Sequence, residues 1–267
     1  MDRRTVLRLT SSRRDYAAPL AKRFCLERWP LIPAVILIVL FGLATTTLYG
    51  QNSGPMSTST CSASEPVVGL PNLDAVKQKL IAYHDCVGSN GCYETDLDKV
   101  GREALDFLKQ YREAHPSERN LAITIDIDET ALSNWENMKK MDFAYDHDES
   151  LQWESQAKAP AIKPVLVLFN YAREHQISTI LLTGRGYSER DVTVKDLDAA
   201  GYEDWTKLIL RNGLSPALAD DYKASERKRL EEDGYKIVVN IGDQCSDLAG
   251  GHALKAFKLP DPFYYIP

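Results

Sequence analysis

Short aliphatic and β-branched runs alternate with helix-length segments through the second half of the chain, and this constrains the fold more than any other feature. Leu121–Asp128 (LAITIDID), Ile177–Leu182 (ISTILL), Leu208–Leu210 and Tyr235–Ile241 (YKIVVNI) read as buried strands. Val165–Glu174 follows Pro164, Ser188–Ala200 is closed by Gly201, and the charged Tyr222–Asp233 is stopped by Gly234, so each carries helix boundary signals. Leu73–Tyr83 and Asp96–Tyr111 place apolar residues at helical spacing, and a last short strand is expected from Phe257 onward, near Pro260 and Pro262. Strands separated by helices predict an α/β fold, a parallel sheet with helices on both faces.

Parallel strands put all their carboxyl ends on one edge, where ligands bind in open α/β sheets. Three of the predicted strands end in polar groups there: Asp126-Ile-Asp128-Glu-Thr130, Thr183-Gly184-Arg185, and Gly242-Asp243 leading to Asp247. Clustered carboxylates are costly without a cation, and an all-oxygen ligand set suits Mg²⁺. Thr183 can donate to a phosphate oxygen, and Lys223 from the next helix can neutralise its charge. Each piece also has an ordinary reading. Asp after a strand is a common turn or helix cap, Thr-Gly-Arg is an ordinary turn tripeptide, and Lys223 shares its helix with Arg227, Lys228 and Arg229. The order of the pieces and their matching places at strand ends favour the chemical reading.

That order resembles the haloacid dehalogenase superfamily, and within it the acid phosphatase branch of bacterial class B and class C enzymes and plant vegetative-storage-type acid phosphatases. The segments that carry it are ITIDIDETALSNW (123–135), 159–185, 222–251 and AFKLPDPFYYIP (256–267), and the plant and class C types fit better than class B. The resemblance implies a haloacid-dehalogenase-like Rossmannoid sheet with a small helical cap, built from elements near 71–118 and 131–160 of a phosphatase domain spanning 71–267. It implies Asp126 as nucleophile and Asp128 as general acid and base. Mg²⁺ would be held by Asp126, the main-chain carbonyl of Asp128, and Asp243, with Asp247 one step removed. Thr183, Gly184 and Lys223 would bind the phosphoryl group. Trp135 could stack on a substrate ring or pack beneath the cap.

The function implied is Mg²⁺-dependent hydrolysis of small phosphate monoesters. Transfer of the same phosphoryl group to an alcohol remains open, as does a storage or surface-binding relative with weak catalysis. A membrane-anchored interaction module whose body merely packs is a fourth reading.

Charge is unevenly distributed over the 267 residues. Residues 1–28 hold eight basic and three acidic side chains, residues 29–64 hold none, and the remainder carries a net −11. An acidic body repels phosphate backbones, so no nucleic-acid duplex is expected as partner. Leu31–Tyr49 (LIPAVILIVLFGLATTTLY) is long enough to cross a bilayer. The expected order is a basic cytoplasmic tail (1–28), a transmembrane anchor or signal segment (29–50) and a Ser/Thr-rich tether (51–70). The body should then lie outside the cytoplasm, periplasmic or extracellular, either anchored or secreted after signal cleavage. Five cysteines are too few for a disulfide framework, but Cys86 and Cys92 flank a turn-like VGSNG and can pair in an oxidising compartment.

Overall fold

The computed structural model describes residues 71–212 and 219–266. The expected tail, membrane segment and tether (1–28, 29–50 and 51–70) lie outside the described residues. Among the described residues no helix is long and apolar enough to cross a membrane.

Five strands, β1 (Leu121–Ile125), β2 (Ser178–Gly186), β3 (Lys207–Arg211), β4 (Lys236–Gly242) and β5 (Lys255–Lys258), form one sheet in the order β3-β2-β1-β4-β5. Every neighbouring pair is parallel, as the alternation predicts. The central strand is β1, whose Ile125 lies opposite Leu181 of β2 and Ile241 of β4. The three polar strand ends therefore reach the same edge side by side.

The helices are α1 (Leu73–Asp85), α2 (Tyr93–Ala114), α3 (Trp135–Lys140), α4 (His147–Ser155), α5 (Lys163–Glu174), α6 (Arg190–Ala199), α7 (Ala219–Glu232) and α8 (Cys245–Leu248). Side chains along β1 alternate between faces with period two. Leu121, Ile123 and Ile125 pack with Leu108 of α2 and with Leu168 and Phe169 of α5, whereas Ala122 joins Ile180, Ile237 and Leu230 of α7. Both faces are thus covered, which is why the strands read as continuous apolar runs. At the crossing of α2 and α5, a Cβ on Gly101 would sit 2.4 Å from Pro164 Cβ, so this close approach requires glycine.

Local chemistry sets the boundaries. Asn72 caps α1 by accepting from the Asp74 amide at 2.9 Å. Cys86 and Cys92, joined as a disulfide, bracket the turn between α1 and α2. Gly201 and Gly234 follow α6 and α7 with φ of +90° and +91°, the left-handed conformation that closes a helix cheaply only at glycine.

Three details differ from the sequence reading. Strand β2 continues through Thr183-Gly184-Arg185 to Gly186, which pairs with Arg211 after a register shift, so this tripeptide is strand and not turn. The last strand, β5, ends before Pro260, because proline has no amide to give the ladder. Helices α3 and α4 within 131–160 are only 6 and 9 residues long, too short for periodicity to announce them.

Candidate active site

The end of β1 delivers Asp126 into a buried group of charges. Its amide donates to the Ile241 carbonyl of β4 (3.1 Å), and its Oδ1 accepts from Lys223 Nζ of α7 at 2.5 Å. The same ammonium donates to Asp247 Oδ1, while Asp247 Oδ2 accepts from the Gln244 amide at 2.8 Å. Asp243, directly after β4, is fully buried and accepts from Thr130 Oγ1 (2.9 Å), Gln244 Nε2 (2.7 Å) and Tyr264 Oη (2.9 Å). Thr130 thus closes the DIDET loop onto the neighbouring motif. Asp126, Asp243 and Asp247 each offer an oxygen, all within 4.8 Å of one another, a donor set able to hold a metal ion.

The electrostatics follow from three buried carboxylates and one ammonium. Burial, then the neighbouring Asp247, pushes the Asp126 carboxyl well up despite Lys223. Burial, Asp247 and Asp261 push Asp243 up to about 7. Lys223 loses hydration on burial, yet Asp126 and Asp247 outweigh that loss and raise it, so it stays protonated.

Asp128 lines the same cavity but has different partners. Arg185 grips it at two points, Nη2 to Oδ1 at 2.6 Å and Nε to Oδ2 at 3.1 Å, and Asn134 Nδ2 donates to Oδ1 at 2.9 Å. Burial alone would raise this carboxyl; the Arg185 charge and hydrogen bonds prevail and hold it below its ordinary value. The carboxylate of Asp128 is thereby held by Arg185, and the third carboxylate beside Asp126 and Asp243 is that of Asp247. The side chain of Arg185 is itself shared with Glu154 of α4 (3.6 Å) and Asp196 of α6 (3.4 Å). Asn134 also accepts from Trp153 Nε1 of α4 at 2.9 Å, which makes α4 the element that braces the Asp128 loop. Sequence reasoning missed Arg185, Glu154, Asp196 and Asn134; the arginine inside a strand-end Thr-Gly-Arg was the only local signal.

The remaining predicted residues are placed as follows. Gly184 is exposed on the wall of a cavity of about 610 Å³ that also contacts Asp126, Asp128 and Lys223. Thr183 is fully buried behind it, its Oγ1 accepting from the Arg185 amide at 3.0 Å. Trp135 does not line the cavity. It is 5% exposed, stacked on His84 with ring centres 3.8 Å apart and flanked by Phe143 and Phe263. Of its two expected roles, this is packing, and the substrate-stacking role has no exposed face to act through. Glu129, between the two motif aspartates and Thr130, adopts φ +55° and accepts from the Asn134 amide (2.5 Å), fixing the loop that carries Asp128.

Comparison with known proteins agrees with this architecture. Residues 45–267 match the sequence profile of the HAD superfamily, subfamily IIIB (Acid phosphatase). Acid phosphatase 1 of Solanum lycopersicum is 37% identical over 179 residues, covering 65% of this chain and 69% of the relative. Vegetative storage protein 1 of Arabidopsis thaliana is 31% identical over 201 residues, covering 73% and 74%. The class C acid phosphatase from Bacillus anthracis shares the fold, with a TM-score of 0.60 at 19% identity over 72% of this chain and 86% of that one. The sequence resemblance to the acid phosphatase branch is borne out, and the chain belongs to the HAD superfamily, subfamily IIIB, a family of phosphomonoester hydrolases.

Proposed function

We propose that the chain is a Mg²⁺-dependent acid phosphatase that hydrolyses small phosphate monoesters through a phosphoryl group carried on Asp126. The observation that supports this most is the position of Asp126, bonded to Lys223, within 4.8 Å of the other two aspartates of its cluster, and facing the same cavity as Asp128.

The residues fit a hard divalent cation. Three buried carboxylates share one ammonium, and burial, then repulsion from Asp247, pushes both Asp126 and Asp243 up, a cost that a bound cation would offset. Asp126, Asp243, Asp247 and the Asp128 main-chain carbonyl would hold it. Bound there, Mg²⁺ supplies the positive charge that lets an anionic carboxylate approach an anionic phosphate.

The chain's own groups do the rest. The Asp126 carboxylate attacks phosphorus as the bond to the leaving oxygen breaks, and Asp128 protonates that oxygen. Asp128 then takes a proton from water, whose oxygen attacks phosphorus, releasing inorganic phosphate and restoring Asp126. Lys223 neutralises the charge on the transferring group, and the amide of Gly184, on the cavity wall, holds a phosphoryl oxygen, with Thr183 supporting that strand end from behind through the Arg185 amide. Elements α1, α3 and α4 act as a small cap. The Cys86–Cys92 bond supports a location outside the cytoplasm, in keeping with the basic tail and apolar segment that precede the body.

The test is hydrolysis of an aryl phosphate by the full chain with Mg²⁺ and with EDTA. Equal turnover in both would overturn the metal-dependent reading.

A further inference from the structure

Asp243 has no water-facing surface, and its two oxygens are unequally occupied. Oδ1 accepts one donor, Thr130 Oγ1 at 2.9 Å, whereas Oδ2 accepts two, Gln244 Nε2 at 2.7 Å and Tyr264 Oη at 2.9 Å. A carboxylate offers about two lone-pair positions per oxygen. The two donors on Oδ2 therefore saturate it, and the lone pair left for a cation is on Oδ1.

Tyr264 reaches this position because the segment after β5 is clasped to the site. The Leu259 amide donates to the Gly242 carbonyl at 2.9 Å, continuing the β4–β5 register past the end of the strand. Gln244, one residue after Asp243, donates to Asp261 Oδ2 at 2.6 Å and accepts from the Ile266 amide at 3.2 Å, so one side chain ties down both ends of 261–266. Between those ties, the Asp261 Oδ1 accepts from the Phe263 amide at 2.9 Å, and the Phe263 ring packs edge-on against Tyr93 with centres 5.1 Å apart. The segment is fixed on both sides of Tyr264, and the phenol is held where its hydroxyl meets a carboxylate.

We propose that Tyr264 is a positioning residue for Asp243, held by the Gln244 clasp, and that it orients the aspartate to bind the divalent cation through Oδ1 alone. The role rests on the metal-dependent reading above. A residue that merely filled space would act through its ring, which Phe retains; the proposed role needs the hydroxyl.

The test uses the full chain and Mn²⁺ as a paramagnetic probe, with free ion counted by electron paramagnetic resonance and Mg²⁺ added in competition. Wild type, Tyr264→Phe, Asp243→Asn and the double variant are compared, with melting temperatures in EDTA as the folding control. Tyr264→Phe should weaken Mn²⁺ binding about tenfold or more, the size usual for groups that orient a ligand. In the Asp243→Asn background the same change should add no further loss, because its target is already altered. A Tyr264→Phe affinity within about twofold of wild type would overturn the proposal while leaving the metal reading intact. A full additional loss in the double variant would overturn it too, by locating the effect elsewhere. Absence of Mn²⁺ binding in wild type would remove the metal reading and the proposal together. Should Tyr264→Phe not fold, Gln244→Met, which removes the other Oδ2 donor, carries the same expectation and the same reversal.

Discussion

The guanidinium of Arg185 meets the carboxylate of Asp128 in a two-point ion pair, with Nη2 2.6 Å from Oδ1 and Nε 3.1 Å from Oδ2. Planar pairing of this kind fixes orientation as well as charge. It holds the Asp128 carboxyl below its ordinary value, so the group is ionised at rest, the state the proposed second step would use. The side chains of Glu154 and Asp196 compete for the same guanidinium from α4 and α6.

Arg185→Lys keeps a charge but loses the fork, so Asp128 should lose its fixed orientation. We expect kcat to fall about tenfold or more for alkyl phosphates, whose leaving oxygen needs the proton. The loss should be smaller for 4-nitrophenyl phosphate, whose leaving group departs without one. Equal losses on both substrates, or none, would remove Asp128 orientation as the role of Arg185.

The shared guanidinium also predicts a pH-dependent stability. Burial, with Asp128 nearby, outweighs Arg185 and raises Glu154 from 4.5 to about 7; burial likewise raises Asp196 to about 6. Between the unfolded and folded values the folded protein keeps a proton that the unfolded chain has released. Stability is therefore fullest below pH 4.5 for Glu154 and declines as pH rises through about 7. Urea unfolding in EDTA from pH 4.5 to 7.5 should show a shallower decline in Glu154→Gln than in wild type; parallel curves would contradict the assignment.

Asp126→Asn should abolish turnover. The amide nearly matches the carboxylate in shape but cannot become an acyl phosphate, and it removes one negative charge from a crowded buried site, so folding should survive. Steady-state assays with a melting curve check this, and near-wild-type activity in the folded variant would end the two-step mechanism.

What the sequence revealed and what it hid divide along physical lines. Strands β1, β2 and β4 were legible because both faces are buried, and a run such as LAITI has few other uses. That Asp126, Asp128 and Asp243 would share one edge was legible because a parallel sheet sends its strand ends there, whereas Lys223 lies in α7 and was singled out by the order of the motifs. Arg185, Glu154 and Asp196 were not, since an ion pair between α4, α6 and β2 leaves no periodic mark in any of them. Tyr264 was hidden for the same reason: its partner is reached only once β5 has paired with β4. For Trp135, the sequence could not say which face of the indole would be covered, and His84 of α1 decided it.

Gly242→Ala tests how tightly the acidic cluster at the end of β4 is built. Gly242 ends β4 immediately before Asp243, and a Cβ there would lie 2.3 Å from Asp247 Cβ and 2.5 Å from Asp247 Oδ2. No real contact is that short, and Asp247 cannot simply swing away. Its Oδ1 is held by Lys223 and its Oδ2 by the Gln244 amide at 2.8 Å. Accommodation must therefore move Asp247, and with it the ammonium bonded to Asp126. A displacement of roughly 1 Å in such a constellation costs about a hundredfold in rate, while overpacking costs about 1–3 kcal/mol in stability. We expect kcat to fall by about that factor in a protein that still melts cooperatively. Gly184→Ala is the contrast, since a Cβ at that exposed position meets nothing within 4 Å. Its melting temperature should match wild type, and any loss of activity there reports contact with the phosphoryl group instead of distortion. Wild-type kcat in Gly242→Ala would show that Asp247 tolerates displacement, and that its bond to Lys223 is not required for turnover.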